Sequence, residues 1–198
     1  MILPRRFYTR SDVVLLAGDL LGKCLVSSQD GIITSGIITE TEAYAGETDK
    51  ASHAWNGRRT SRTEIMYRNG GTAYIYLCYG VHSLFNVVTN KAGIPHAVLI
   101  RGIKPVDGIN TILKRLGAEG LPAWSISGPG KVTRALGIHY SQTGTDLTRK
   151  PAVKGPGGIW IEDRDFSLSG LRVEATPRIG VDYAGKDALL PYRFVLHQ

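Results

Sequence analysis

Six consecutive residues, Thr39-Glu40-Thr41-Glu42-Ala43-Tyr44, place two carboxylates and a phenol at alternate positions. Alternate side chains of an extended strand share a face, so Glu40, Glu42 and Tyr44 project together. A carboxylate in a cleft is costly unless it is paired or used in chemistry. Glu42 beside Tyr44 therefore suits a general base beneath a stacked ring. Two other readings fit the same hexapeptide. One is an edge strand with solvated glutamates, the simpler assignment on six residues alone. The other is sugar hydrolysis, because same-face neighbours lie roughly 7 Å apart, inside the window of about 6.5–9.5 Å that inverting glycoside hydrolases use.

Further chemistry follows downstream. Arg58, Arg59, Arg62 and Arg68 make a basic stretch that suits phosphates, or simply a solvated loop. In Thr72-Ala73-Tyr74-Ile75-Tyr76-Leu77-Cys78-Tyr79-Gly80, Tyr74 and Tyr76 share a strand face. Strand tyrosines more often pack a core than bind a ligand, and Tyr74 reads that way. Tyr79 differs, because it precedes a turning glycine and an aromatic at a hairpin tip is exposed. Such a wedge on a basic protein can slide between base steps. Stacking on a base is worth about 1–3 kcal/mol, comparable with the few kcal/mol needed to extrude a nucleotide.

Arg101 closes the apolar run Ala97-Val98-Leu99-Ile100 and needs an acidic partner there, for which Glu42 is the candidate. That pairing would keep the carboxylate ionised. The five histidines show no H-E-x-x-H spacing, so no metal site is expected. His53 stands out only for its neighbours. Gly128-Pro129-Gly130-Lys131 offers backbone N–H groups and a helix start to a phosphate. Val132 follows its lysine where a nucleotide P-loop has Ser or Thr, so it reads first as a turn.

The elements that must hold these groups are legible in outline. Ser11 or Asp12 caps a helix reaching about Leu21, with Val13, Leu16, Ala17, Leu20 and Leu21 as its buried stripe and Gly22 as its stop. Cys24–Ser28 and Ile32–Ile38 flank the hairpin signal Asp30-Gly31. Residues 46–71 read as loops and short helices. Thr72–Tyr79 pairs with Leu84–Thr89, Ala97–Ile100 is another strand, and Val106–Leu116 is a helix stopped by Gly117. A short helix ends near Gly137, residues 150–158 form a loop, and Ile159–Glu162, Leu171–Ala175 and Tyr192–Leu196 are strands. This order predicts a single α+β domain: a curved, largely antiparallel sheet flanked by helices, with a protruding hairpin.

Composition agrees with a polyanion partner. The 198 residues hold 24 Lys+Arg against 17 Asp+Glu, a net charge of +7, and the pI is about 9.5. Such an excess favours nucleic acid or an acidic surface. Cys24 and Cys78 stand alone, so neither a disulfide scaffold nor a cysteine metal knuckle is expected. The run Val13–Ala17 is too short for a signal peptide or span, and a cytoplasmic protein, nucleoid-associated in a bacterium, is expected.

Taken in order, Glu40-Thr41-Glu42-Ala43-Tyr44, His53, Tyr74–Gly80, Asn86, Val98-Leu99-Ile100-Arg101, Ser127–Lys131, Arg178-Ile179-Gly180-Val181 and Pro191-Tyr192-Arg193-Phe194 resemble the alkyladenine (methylpurine) DNA glycosylase family from about Leu20 to Leu196. The resemblance implies hydrolysis of the N-glycosidic bond of damaged purines flipped from duplex DNA: 3-methyladenine and 7-methylguanine, with hypoxanthine and etheno-adenine as further candidates. It implies that Glu42 activates water with Arg101 and the Ile179 carbonyl, that Tyr44 and Tyr76 sandwich the base beside His53, and that Asn86 rejects guanine. Tyr79 would fill the vacated stack, and Arg58, Arg59, Arg62, Gly130, Lys131 and Arg178 would touch the DNA backbone. A monomer without cofactor and without strand-cleaving activity is expected, since no lysine sits in the central motifs. Tyr67 departs mildly from the family pattern, His82 and Ser83 depart from it at the pocket rim, and Lys91–His96 lengthens the loop before Arg101. The alternatives are a non-catalytic nucleic-acid binding module and the carbohydrate hydrolase.

Overall fold

A short helix α1 (Arg5–Tyr8) leads into α2 (Val13–Asp19) in the computed structural model, which describes residues 1–151 and 157–198. Asp12 caps α2 by accepting the N–H groups of Val14 and Leu15 at 2.9 and 3.0 Å. The chain leaves the helix through Gly22, whose φ of +79° suits glycine. All five residues of the expected apolar stripe are buried.

The hairpin of β1 (Cys24–Gln29) and β2 (Ile32–Tyr44) turns through Asp30 and Gly31, both with positive φ, as a two-residue turn matching strand twist requires. β2 is the spine of the molecule. Its first half pairs with β1, its second half with β9 (Arg193–His197), and its other edge with β5 (His96–Pro105). β3 (Thr72–Cys78) and β4 (His82–Thr89) extend the sheet beyond β5. β6 (Ile126–Ser127) adds to β5, β7 (Gly158–Glu162) to β1, and β8 (Arg172–Thr176) to β9. All these pairings are antiparallel, and the nine strands found among the described residues curve into a half-barrel, as the α+β reading expected.

Helices α2, α3 (Ile109–Leu116) and α4 (Pro129–Leu136) close one face over a core that includes Leu16, Leu25, Phe85, Ile100, Ile112 and Leu136. Register decides which residues meet this core. Ala43, Val98, Val87 and Ala73 align across four strands and belong to it. The next row, Glu42, Leu99, Asn86 and Tyr74, therefore faces the other side.

Several boundaries differ from the sequence expectation. β5 runs on to Pro105 because β2 and β6 supply partners that a local reading does not contain. α3 starts three residues late, since Asp107 is held by Ser35 and Gly108 adopts φ +72°. Of the expected loop 150–158, residues 152–156 lie outside the described residues. Among the described residues, no helix is long and apolar enough to cross a membrane.

Candidate active site

The pairing of β2 with β5 slips at one place. Ile38 pairs with Ile103, Glu40 with Gly102 and Thr41 with Ile100, so Thr39 and Arg101 both drop out of the ladder. Gly102 permits this close approach, because a Cβ there would lie 2.8 Å from that of Glu40. The irregularity sets Arg101 between two carboxylates. Its Nε is 3.0 Å from Glu40 Oε1 and 3.4 Å from Glu42 Oε1. The expected Arg101–Glu42 pair exists, with Glu40 as the nearer partner.

The carboxylates have different surroundings. Glu40 accepts from Arg101, from Arg193 Nε at 2.7 Å and from Ser127 Oγ at 2.9 Å. Burial opposes its charge, but the bonds from Arg193 and Arg101 outweigh that and hold its pKa below the usual value. Glu42 is 0% exposed. Its Oε1 accepts the Ile179 N–H at 2.8 Å and its Oε2 the Tyr44 hydroxyl at 2.8 Å. Burial nevertheless wins and pushes its pKa up, against Arg101, the Ile179 amide and Tyr44. One carboxylate is thus held ionised by its donors, and the other has its pKa raised toward the pH range in which proton transfer is most effective. Glu40, saturated by donors, is not the partner acid that the two-carboxylate sugar-hydrolase reading needs.

A cavity of about 310 Å³ is lined by all three residues that hold the carboxylate, and Glu42 itself, fully buried, lies behind them rather than in its wall. Aromatic side chains form part of the cavity walls. Tyr44, Tyr76 and Tyr74 line it, and the rings of the last two lie 5.4 Å apart, tilted by 32°. His53 meets Tyr76 edge-on at 4.7 Å, and its Nδ1 hydrogen-bonds the Tyr74 hydroxyl at 2.8 Å. Burial, then Arg62 and Arg58, drive the His53 pKa down to about 4, so the ring is neutral at pH 7. Asn86 donates its amide hydrogens to the carbonyls of Tyr74 and Leu84, leaving Oδ1 as its free acceptor.

At the mouth, Tyr79 stands at the tip of the β3–β4 hairpin, 94% exposed. Its φ is +50° beside Gly80 at +70°, an uncommon conformation for a bulky residue. Arg58, Arg62 and Lys131 are exposed. Arg59 is exposed but committed to a two-pronged pair with Glu64 at 2.7 and 2.8 Å. Gly130 packs against the hairpin, since a Cβ there would meet His82 at 3.2 Å.

One expectation needs correction. Arg178 does not face DNA: its side chain is 0% exposed and bound to Asp49 at 2.5 and 2.8 Å. Ile179 also donates its N–H to Glu42, a contact the sequence reading, which named its carbonyl as a water-positioning group, did not include. The sequence reading also missed Tyr183, 71% exposed on the pocket lining, whose hydroxyl donates to the Ala51 carbonyl at 3.2 Å. Its signal was an aromatic two residues past the motif Ile179-Gly180-Val181. Ser127 and Arg193 stood within motifs of the resemblance but had no role assigned, and nothing local marked Asp49. Tyr74, read as core, is both buried and part of the cavity wall.

Residues 6–198 match the family model described as methylpurine-DNA glycosylase (MPG). A protein of Chlamydia felis named "Putative 3-methyladenine DNA glycosylase" is 45% identical over 197 residues, covering 99% of this chain and 96% of its own. Proteins of the same name from Chlamydia pneumoniae and Bacillus cereus are 44% and 43% identical, over 98% and 96% of this chain and 95% and 93% of theirs.

Proposed function

The chain belongs to the methylpurine-DNA glycosylase family and is a DNA glycosylase of DNA repair, and from that premise we propose that it excises alkylated purines with Glu42 as the base that activates water. The observation that carries this reading is the buried Glu42 carboxylate, held by Tyr44, Ile179 and Arg101 directly behind an aromatic cavity. Water reaches the carboxylate where the Tyr44 hydroxyl and the Ile179 segment now close over it, and Arg101 steadies the charge. Tyr44 and Tyr76 sandwich the everted base with His53 at its edge.

An alkylated purine such as 3-methyladenine or 7-methylguanine is cationic, which suits electron-rich ring faces. A neutral His53 does not repel it. A cationic base also leaves without prior protonation, so a pocket with one working carboxylate suffices. For the same reason cationic lesions, which leave as neutral bases, are favoured over hypoxanthine and etheno-adenine, which leave as anions unless first protonated. Asn86, tied to two backbone carbonyls, is a rigid obstacle to the exocyclic amino group of guanine. Tyr79 fills the space vacated in the stack, and Arg58, Arg62 and Lys131 approach phosphates. Among the described residues no lysine lines the cavity, so release proceeds without a Schiff base and without strand cleavage.

The test is Glu42→Gln on a duplex carrying 3-methyladenine. Binding should persist while single-turnover base release falls on the order of 10²–10⁴-fold, the range of general-base contributions. Release at the normal rate would remove Glu42 from the mechanism.

A further inference from the structure

The loop that brings Ile179 to Glu42 has little to hold it. Pro177, Ile179 and Gly180 are exposed, Ile179 by 51%, and Arg178 is the buried residue among them. Its guanidinium makes four contacts: two with the Asp49 carboxylate, one with the Ala43 carbonyl at 2.8 Å and one with the Asp187 carbonyl at 3.1 Å. Its carbon also lies 4.8 Å from the centre of the Tyr44 ring. Asp49 in turn accepts the N–H groups of Ala45 and Ala51, both at 3.0 Å, and so shapes the turn that leads to His53. Two donors on Glu42, the Ile179 amide and the Tyr44 hydroxyl, therefore belong to groups directly attached to or packed on Arg178.

A buried ion pair contributes little stability relative to apolar residues of similar size. Its value here is geometric. We propose that Asp49 and Arg178 are positioning residues that aim the Ile179 amide and the Tyr44 hydroxyl at the Glu42 carboxylate. The proposal rests on Glu42 being the base. It converts a residue that the sequence offered for DNA contact into part of the catalytic support.

The experiment compares wild type, Asp49→Asn, Arg178→Lys, Glu42→Gln and the Asp49→Asn/Glu42→Gln double variant in single-turnover release of 3-methyladenine across pH. Lysine keeps the charge but not the two-pronged geometry. Both clamp variants should slow release on the order of 10²-fold, the cost of a misplacement of about 1 Å, with affinity for an abasic-site duplex retained. The acid limb of the pH–rate profile should move to higher pH, because Glu42 loses donors that favour its ionised form. The other groups near it, Arg101, Glu40, Tyr76 and Tyr183, are unaltered. In the Glu42→Gln background, Asp49→Asn should cost nothing further. Rates that fall only with the unfolded fraction, an acid limb that stays in place, or effects that multiply in the double variant would overturn the clamp. If D49N does not fold, R178K carries the same comparison. Normal release by Glu42→Gln alone would overturn the base assignment itself, and is read independently of the clamp variants.

Discussion

Tyr44→Phe isolates a single hydrogen bond at the base. The hydroxyl donates to Glu42 Oε2 at 2.8 Å, and burial beside Glu42 keeps the phenol protonated, its pKa raised well above the ordinary value. Phenylalanine keeps the ring that packs on Arg178 and is proposed to stack on the substrate, and deletes only the donor. A hydrogen bond to a charged group is worth about 1.5–3 kcal/mol. At 1.36 kcal/mol per decade, the balance between ionised and neutral Glu42 shifts by roughly 10- to 150-fold toward the neutral acid. The direction follows from the donor's role: it favours the carboxylate, so its loss raises a pKa that burial already raises. Release of 3-methyladenine should slow by about that factor on the acid side of the profile, where the ionised fraction limits the rate. On the alkaline side, where Glu42 is ionised in both proteins, the rate should hold or rise, because the carboxylate is then the stronger base. Single-turnover release measured from acid to alkaline pH tests both limbs. A uniform loss at every pH, or an acid limb that does not move, would refute the account of how Tyr44 acts.

Glu40→Gln should be a stability defect first. It leaves Arg101 and Arg193 without their shared carboxylate, and breaking such a buried pair costs about 3–5 kcal/mol. Denaturant unfolding measures this, and an unchanged midpoint would contradict the anchor role. The Glu40 pKa is depressed, so its stabilisation is present above the ordinary carboxylate range and is lost as pH falls through the folded value. Tyr79→Gly removes an exposed ring and relieves a positive φ, so it should raise stability by about 1 kcal/mol. It should also weaken binding to lesion duplexes by about 1–3 kcal/mol, and unchanged affinity would end the wedge assignment. The His53 imidazole should titrate by NMR near 4. Because this lies below the unfolded value of about 6.5, folding stability contributed here falls as pH drops between those two values. A midpoint near 6.5 would refute its burial against Tyr74 and Tyr76.

Short-range chemistry was readable in the chain itself. The Asp12 cap, the Asp30-Gly31 and Tyr79-Gly80 turns and the apolar stripe of α2 depend on residues within a few positions of one another, and each appears where the sequence placed it. Alternation along β2 put Glu40, Glu42 and Tyr44 on one face, and charge complementarity pointed Arg101 toward Glu42. The remainder needed the folded chain. Which glutamate is saturated by donors, and which is left with a raised pKa as the proposed base, depends on a slip between β2 and β5 and on Arg193 arriving from the far end of the sequence. Arg178 looked like a surface cation because arginine usually is one. Only the closure of the C-terminal segment over β2 supplies Asp49 as its partner and turns the Ile179 amide toward Glu42. Residue type and local spacing determine which groups are available. The pKa and aim of each depend on desolvation and on partners brought from more than a hundred residues away, which only tertiary packing decides.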